Sequence, residues 1–339
     1  MFPSGADVRE GWSAPPICRR PSLKQHSRKW IRIGWQGLTI PVPADWHLGA
    51  VQGTRTKGYA RIDDDEHARA EIRWEKPPGK PEPFDKLADG VLKKLQKLES
   101  KKGQFTIKRD IRLASPPGRE STCFEMRGRE LSLGCLMRCQ ECGRIVVGRL
   151  TGGSRNELQA IAARLFDGLA DHPGDDGLDH WDIYDLQFAL SPEYDLQQTK
   201  MRTGSLEMLF TTRTKTVDIR RISLASIVLK ERSLKNFFVN YCYSDLKTFG
   251  YQAEEIPVKD HPQGVGLTGA QTLKARVLSH SIARKFVHAV SWLCEDRIYI
   301  VRMVTPKEED PEFFDVVDSV ECHSRADRTD RSDRSDRSD

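Results

Sequence analysis

Leu38 to Leu48 reads LTIPVPADWHL, and 148 residues later Leu186 to Leu196 reads LQFALSPEYDL. Ile40 is matched by Phe188, Val42 by Leu190, Asp45 by Glu193 and Trp46 by Tyr194, and both flanking leucines are kept. Leu38, Ile40 and Val42 alternate with Thr39 and Pro41, the period of two expected of a half-buried strand. A stretch that returns at such a distance predicts an internal repeat, so the rest of the chain is read for landmarks that keep the same spacing.

Five landmarks keep that register. Gly58 to Asp63 and Ala70 to Glu75 predict a hairpin, with the acidic run Asp63 to Glu66 as its solvated turn. Glu71-Ile72-Arg73-Trp74 is matched by Glu207-Met208-Leu209-Phe210 within the strand Ser205 to Thr212. The apolar residues of a helix from Phe84 to Ser100 (Phe84, Leu87, Ala88, Val91) are matched by Leu234, Phe237, Phe238 and Tyr241, in a helix capped by Ser233. Strands at Gln104 to Arg109, Thr122 to Arg127, Leu131 to Arg138 and Arg144 to Leu150 face Tyr251 to Val258, Leu273 to Leu278, Phe286 to Leu293 and Arg297 to Val304. Each half then closes on a helix: Ser154 and Glu157 form a capping box before the first, and Asp310 and Pro311 open the second. The ends FDGLADH (166 to 172) and VDSVECH (317 to 323) correspond.

The predicted organisation is a first domain at 30–172, a linker at 173–180 and a second domain at 181–323. Residues 1–29 carry six Lys or Arg against Asp7 and Glu10, without periodicity, and are read as a disordered basic arm or an over-long predicted start; a mitochondrial presequence is the lesser alternative. Residues 324–339 end in RADRTDRSDRSDRSD, a solvated Arg-x-Asp tail with five Arg and five Asp. With 339 residues there is chain enough for two cores. No apolar run nears the ~18 residues of a membrane span and the start has no apolar signal region, so a cytoplasmic chain without a membrane partner is expected. Its eight cysteines are then expected to be free thiols.

Each half runs as strand pair, helix, several strands and a final helix, with the segments ending GRIVV and DRIYIV closing the last hairpin. With LTIPVPADWHL and LQFALSPEYDL, this order resembles the PsbP-like fold, shared by the oxygen-evolving-complex protein P and the Ran-release factor Mog. The resemblance implies an α+β class, two tandem antiparallel sheets packed with helices, and a binding or assembly role, since members of that fold are mostly not enzymes.

The local motifs that suggest chemistry are each weighed against the other half. Cys139-Gln-Glu-Cys142 precedes a strand, whereas a thioredoxin-type pair needs a helix N-terminus to lower its thiol pKa. A zinc knuckle suits a tight turn but a structural site needs four ligands. Cys135 is roughly 13 Å away along its strand, which leaves Cys123 as a candidate third ligand. Cys294-Glu-Asp-Arg297 occupies the equivalent turn with one cysteine, so a plain hairpin turn is preferred to a zinc or thiol site. Gly264-Val-Gly266-Leu-Thr-Gly269 fits a dinucleotide fingerprint, but no Asp or Glu follows before Glu295, so it is read as a glycine-rich loop. Arg144 and Arg297 open equivalent strands and are candidate partner-binding residues, against the alternative of pairing with nearby carboxylates. Trp46, Tyr194, Trp74 and Phe210 are read as core, and His172 and His323 as cations terminating helices. No catalytic residue and no cofactor is assigned. The expected function is a non-enzymatic binding or assembly protein with a protein partner, acting through a sheet face or the cleft between the copies. The alternative is a nucleic-acid-associated protein using its basic arm and its tail, and a weaker one is zinc or thiol chemistry at Cys139 and Cys142.

Overall fold

The structure, a computed structural model, describes residues 29–278 and 283–322. The predicted tail and the basic arm up to residue 28 lie outside those residues, as do Cys18 and His323. The first half contains β1 (Trp30–Trp35), β2 (Leu38–Pro43), β3 (His47–Gly53), β4 (Lys57–Asp63), β5 (Ala68–Glu75), α1 (Phe84–Glu99), β6 (Thr106–Arg109), β7 (Arg119–Arg127), β8 (Leu131–Cys139), β9 (Ile145–Thr151) and α2 (Arg155–Asp167). The second half contains β10 (Asp179–Ile183), β11 (Leu186–Leu190), β12 (Asp195–Arg202), β13 (Ser205–Thr211), β14 (Thr216–Ser223), α3 (Ala225–Leu229), α4 (Leu234–Tyr241), α5 (Tyr243–Leu246), β15 (Phe249–Val258), β16 (His261–Gln271), α6 (Leu273–Leu278), β17 (Phe286–Cys294), β18 (Arg297–Thr305) and α7 (Pro311–Ser319).

The class is α+β: two seven-stranded antiparallel sheets and a four-stranded one between them. The large sheets run β3-β4-β5-β9-β8-β7-β6 and β12-β13-β14-β18-β17-β16-β15, the same order offset by nine strands. The small sheet, β11-β10-β1-β2, takes two strands from each half and is joined where Gly34 of β1 faces Asp182 of β10. A Cβ on Gly34 would lie 2.2 Å from the carbonyl oxygen of His180, so the join requires glycine there. Because β10 starts at Asp179, the last two residues of the expected linker belong to this sheet.

The repeated stretch proves to be a corner. Leu38, Ile40 and Val42 are fully buried on β2, and each stabilises the fold by roughly 1.5–3 kcal/mol. The amide of Trp46 then donates to the Pro43 carbonyl, as Tyr194 does to Ser191, and the chain turns from the small sheet into the edge strand of a large one. Trp46 and Tyr194 are buried at these corners, and Trp74 and Phe210 are buried beside them. β3 and β12, which sequence periodicity misses, are edge strands interrupted by equivalent bulges at Leu48/Ala50 and Leu196/Gln198. β14 was also missed: its interior alternates only in part, because Asp218 points inward as part of an ion-pair network.

One core cluster runs through both halves across the small sheet, where Trp35 meets Trp181 edge to face at 5.4 Å and Trp181 meets Phe210 at 4.8 Å. α2 and α7 pack on this inner side; α1 and α4 cover the outer faces of the two large sheets over separate clusters. Ser154 accepts from the Glu157 amide and Ser233 from the Asn236 amide, the expected caps.

Two expected elements are different. Leu273 to Leu278 is the helix α6 rather than a strand: Thr272 Oγ1 accepts from the Ala275 amide, and Leu273 and Val277 share a face. The glycine-rich segment lies within β16 rather than in a loop. Its glycines permit close strand pairing, since a Cβ on Gly264 would meet the Ile256 carbonyl oxygen at 2.6 Å and one on Gly269 would meet that of Gly250 at 2.6 Å. No helix among the described residues is long and apolar enough to cross a membrane.

Candidate functional site

The same corner of each large sheet gathers groups with ligand chemistry. In the first half, Cys139 ends β8 opposite Arg119, which starts β7. The turn that follows lets the Cys142 amide approach Cys139 Sγ at 3.5 Å, and Gly143 takes a φ of 70°. After α2 the chain is drawn to β2 by paired hydrogen bonds between Thr39 and Ala170, which sets the next residue, Asp171, against the turn. Asp171 is fully buried: its Oδ1 accepts from Arg119 Nη2 at 2.7 Å and its Oδ2 lies 3.5 Å from Cys142 Sγ. Cys139, Cys142 and Asp171 place their ligand atoms within 4.8 Å of one another.

Burial pushes the Cys142 thiol up to about 11, so it is protonated and poorly nucleophilic near neutrality. A strand, β9, follows the pair, so no helix dipole offsets that burial. Cys123 is elsewhere. It faces Cys135 across β7 and β8 with the sulfurs 2.7 Å apart, four residues along the sheet from Cys139. The third group beside Cys139 and Cys142 is therefore Asp171, not Cys123. The described cysteines are free thiols.

In the second half, Cys294 ends β17 at a tighter turn with Glu295 at φ 53°. Glu321 donates to the Gln187 carbonyl as Ala170 does to Thr39, and the next residue, Cys322, turns into the corner. His261, at the start of β16, brings Nε2 to 3.0 Å from Cys322 Sγ, and Cys294 Sγ lies 3.5 Å from the Cys322 carbonyl oxygen. All three side chains are buried, with ligand atoms within 4.8 Å of one another. Burial first, and Cys322 second, push the Cys294 thiol up to about 12. Sequence reading missed this trio. The signal was the match of VDSVECH with FDGLADH, which sets Cys322 opposite Asp171, but His261 has no comparable mark.

The two candidate partner-binding arginines hold equivalent places, with Arg144 buried and Arg297 half-buried. Arg144 is buried and donates to the carbonyls of Gln36 at 3.4 Å and Arg55 at 2.8 Å. Arg297 pairs with Asp185 at 3.4 Å and Glu295 at 3.6 Å. Each thus braces the two-residue turn of its own half's small-sheet hairpin, Gln36-Gly37 or Tyr184-Asp185, and the guanidinium of Arg144 is not offered to solvent. His172 bonds Pro173 and faces Glu141 at 3.4 Å; it lies five residues beyond the end of α2, too far to cap its dipole.

Among the open surfaces of the described residues, two bear on binding. A cavity of about 230 Å³ opens on the small sheet, lined by Arg32, Thr39, His180, Asp182, Gln187 and Glu321 among others. On the β16–β17 connection, α6 exposes Leu273 (69%), Val277 (66%) and Leu278 (71%) and buries none of its residues. The equivalent β7–β8 connection is only Gly128 to Glu130. Thr272 fastens the start of α6 beside the end of α5 through the Thr248 carbonyl, 3.0 Å from its amide.

No family model matches the chain, and neither does any curated protein. Among solved structures it is similar to immunity protein TplEi of T6SS from Pseudomonas aeruginosa complexed with an "L" peptide, at 12% identity over 86% of this chain and 98% of that one, with a TM-score of 0.32. It is also similar to the Saccharomyces cerevisiae Ran-binding protein Mog1p, at 8% identity over 43% of this chain and 95% of that one, with a TM-score of 0.29.

Proposed function

We propose that the chain is a non-enzymatic protein-binding protein, made of two tandem copies of one α+β unit at 30–172 and 181–323, and that α6 is its contact element. One observation carries this: α6 is a capped helix that exposes three large aliphatic side chains on a connection absent from the other half. Leaving such side chains in water is unfavourable by about 25 cal/mol per Å² of apolar surface, and exposed apolar side chains grouped on one element are what protein partners cover. The basic side chains Lys274 and Arg276 on the same helix suit an acidic rim around an apolar groove in the partner.

The test compares the intact chain with a Leu273→Asp, Val277→Asp, Leu278→Asp variant, each immobilised in native extract. Because α6 buries nothing, the variant should keep its circular dichroism and thermal midpoint while losing the captured protein. Identical capture by both chains overturns the role of α6. Salt-sensitive retention on DNA or RNA that vanishes on removal of residues 1–29 favours the nucleic-acid reading instead.

A further inference from the structure

We propose that His261, Cys294 and Cys322 form a zinc site, and that the equivalent corner of the first half, despite its Cys-x-x-Cys motif, does not. The three side chains come from three separate places in the chain and converge in the interior, 9%, 2% and 6% exposed. Their ligand atoms lie within 4.8 Å of one another, and His261 Nε2 is 3.0 Å from Cys322 Sγ. A tetrahedral zinc at about 2.3 Å from sulfur and about 2.0–2.1 Å from nitrogen separates its ligands by roughly 3.5–3.8 Å, so the trio needs adjustments of about an ångström or less to accept the ion. Imidazole nitrogen and thiolate are also the donors that borderline-soft zinc prefers over magnesium or calcium.

The availability of donors distinguishes the two corners. Zinc displaces the two thiol protons to solvent, and two thiolates, one neutral imidazole and one dication sum to zero in a buried place. Lys259 is engaged nearby with the carbonyls of Asp318 and Val320, and Arg297 with Asp185 and Glu295. In the first half the acid that would serve as ligand is already neutralised by Arg119, and the buried guanidinium of Arg144 adds a further positive charge. Three protein ligands leave one coordination position of a tetrahedral ion open.

The experiment uses the full chain, stripped with chelator and titrated with Co²⁺. A thiolate-to-cobalt charge-transfer band should grow to about one equivalent per chain and be bleached by Zn²⁺. Cys142→Ser should leave it intact. Cys322→Ser should abolish it, and His261→Gln should weaken cobalt affinity by at least about tenfold. The unmutated chain is decisive even if a variant fails to fold: absence of the band there overturns the site. So does a band that survives Cys322→Ser, or one that is lost in Cys142→Ser, which would place the metal in the other corner.

Discussion

Where the last helix of each half hands the chain to its closing segment, the two halves fill one position with different chemistry. The first sets the Arg119–Asp171 ion pair beside two thiols; the second sets an imidazole beside two thiols. The backbone is the same in both: a bridge from the residue before (Ala170 to Thr39, Glu321 to Gln187) fixes where Asp171 and Cys322 point. The fold therefore demands a tie between the start of one strand and the chain after a helix, and leaves its chemistry free. An ion pair needs both partners always present; an imidazole and two thiols are donors that a metal can join.

The comparison breaks most visibly on removing one partner from each tie. Asp171→Ala leaves Arg119, whose side chain is 8% exposed, buried and unpaired, at an expected cost of about 3–5 kcal/mol. Cys322→Ala in the metal-free chain loses the contact of its thiol with His261, at about 1 kcal/mol. Urea midpoints of the two variants should differ accordingly; similar midpoints would mean that Asp171 is not the anchor of its corner.

A second pair of networks sharpens the contrast. On the second sheet Asp218, 3% exposed, accepts from Arg302 Nη2 at 2.9 Å and from Arg220 Nε at 3.0 Å, and Asp245 lies 2.8 Å from Arg220. On the first, Glu71 and Arg149 pair at 2.7 Å with both side chains 29% exposed. Asp218→Asn should cost about 3 kcal/mol and Glu71→Gln less than about 1 kcal/mol. Burial opposes ionisation of Asp218, but Arg220 and Arg302 outweigh it and hold the carboxyl below the usual carboxylate range. Its contribution is therefore complete above an unfolded value of about 3.9 and is lost as pH falls through the lower native value. Asp218→Asn should flatten the loss of stability below about pH 4, which a pH series of melting temperatures would show.

How much of this was legible follows from what periodicity reports. The α+β class, the outer helices α1 and α4 and the caps at Ser154 and Ser233 were readable, because apolar spacing and capping chemistry are local. The edge strands β3 and β12 were not, since bulges and one-sided exposure erase alternation. The join at Gly34 and Asp182 was not either, because pairing between halves leaves no trace within one segment. At the corner, comparing the halves set aside Cys139 and Cys142 as a redox pair but also hid Asp171 and His261. Residues brought together from three strands or loops have no common spacing.

Replacing turn glycines makes the next distinction. The small-sheet hairpins turn at Gln36-Gly37, with φ of 53° and 73°, and at Tyr184-Asp185, with φ of 46° and 63°. Gly37→Ala adds a Cβ in the left-handed region, 3.2 Å from Arg55 Cζ, and should cost roughly 1–2 kcal/mol. A melting temperature unchanged by that variant would mean that the two turns tolerate side chains equally.

The second turn, which lacks glycine, offers the smallest and most diagnostic effect. Two non-glycine residues at positive φ each carry a local penalty, and neighbouring groups hold them there. Arg221 donates to the Tyr184 carbonyl, the Tyr184 hydroxyl donates to the Leu48 carbonyl, and Arg297 pairs with Asp185. Asp185→Gly relieves the penalty at one residue but gives up the ion pairs to Arg297 and Arg221 at 3.4 and 3.6 Å. The Asp185 side chain is 70% exposed, so those pairs are worth little and are screened by salt. The net result should be a gain of about 0.5 kcal/mol at low ionic strength. In 1 M salt the wild-type pairs are screened out while the backbone term is unchanged, so the advantage of Asp185→Gly should widen. A gain that shrinks with salt would instead mean that ion pairing, and not backbone conformation, distinguishes this turn from Gln36-Gly37.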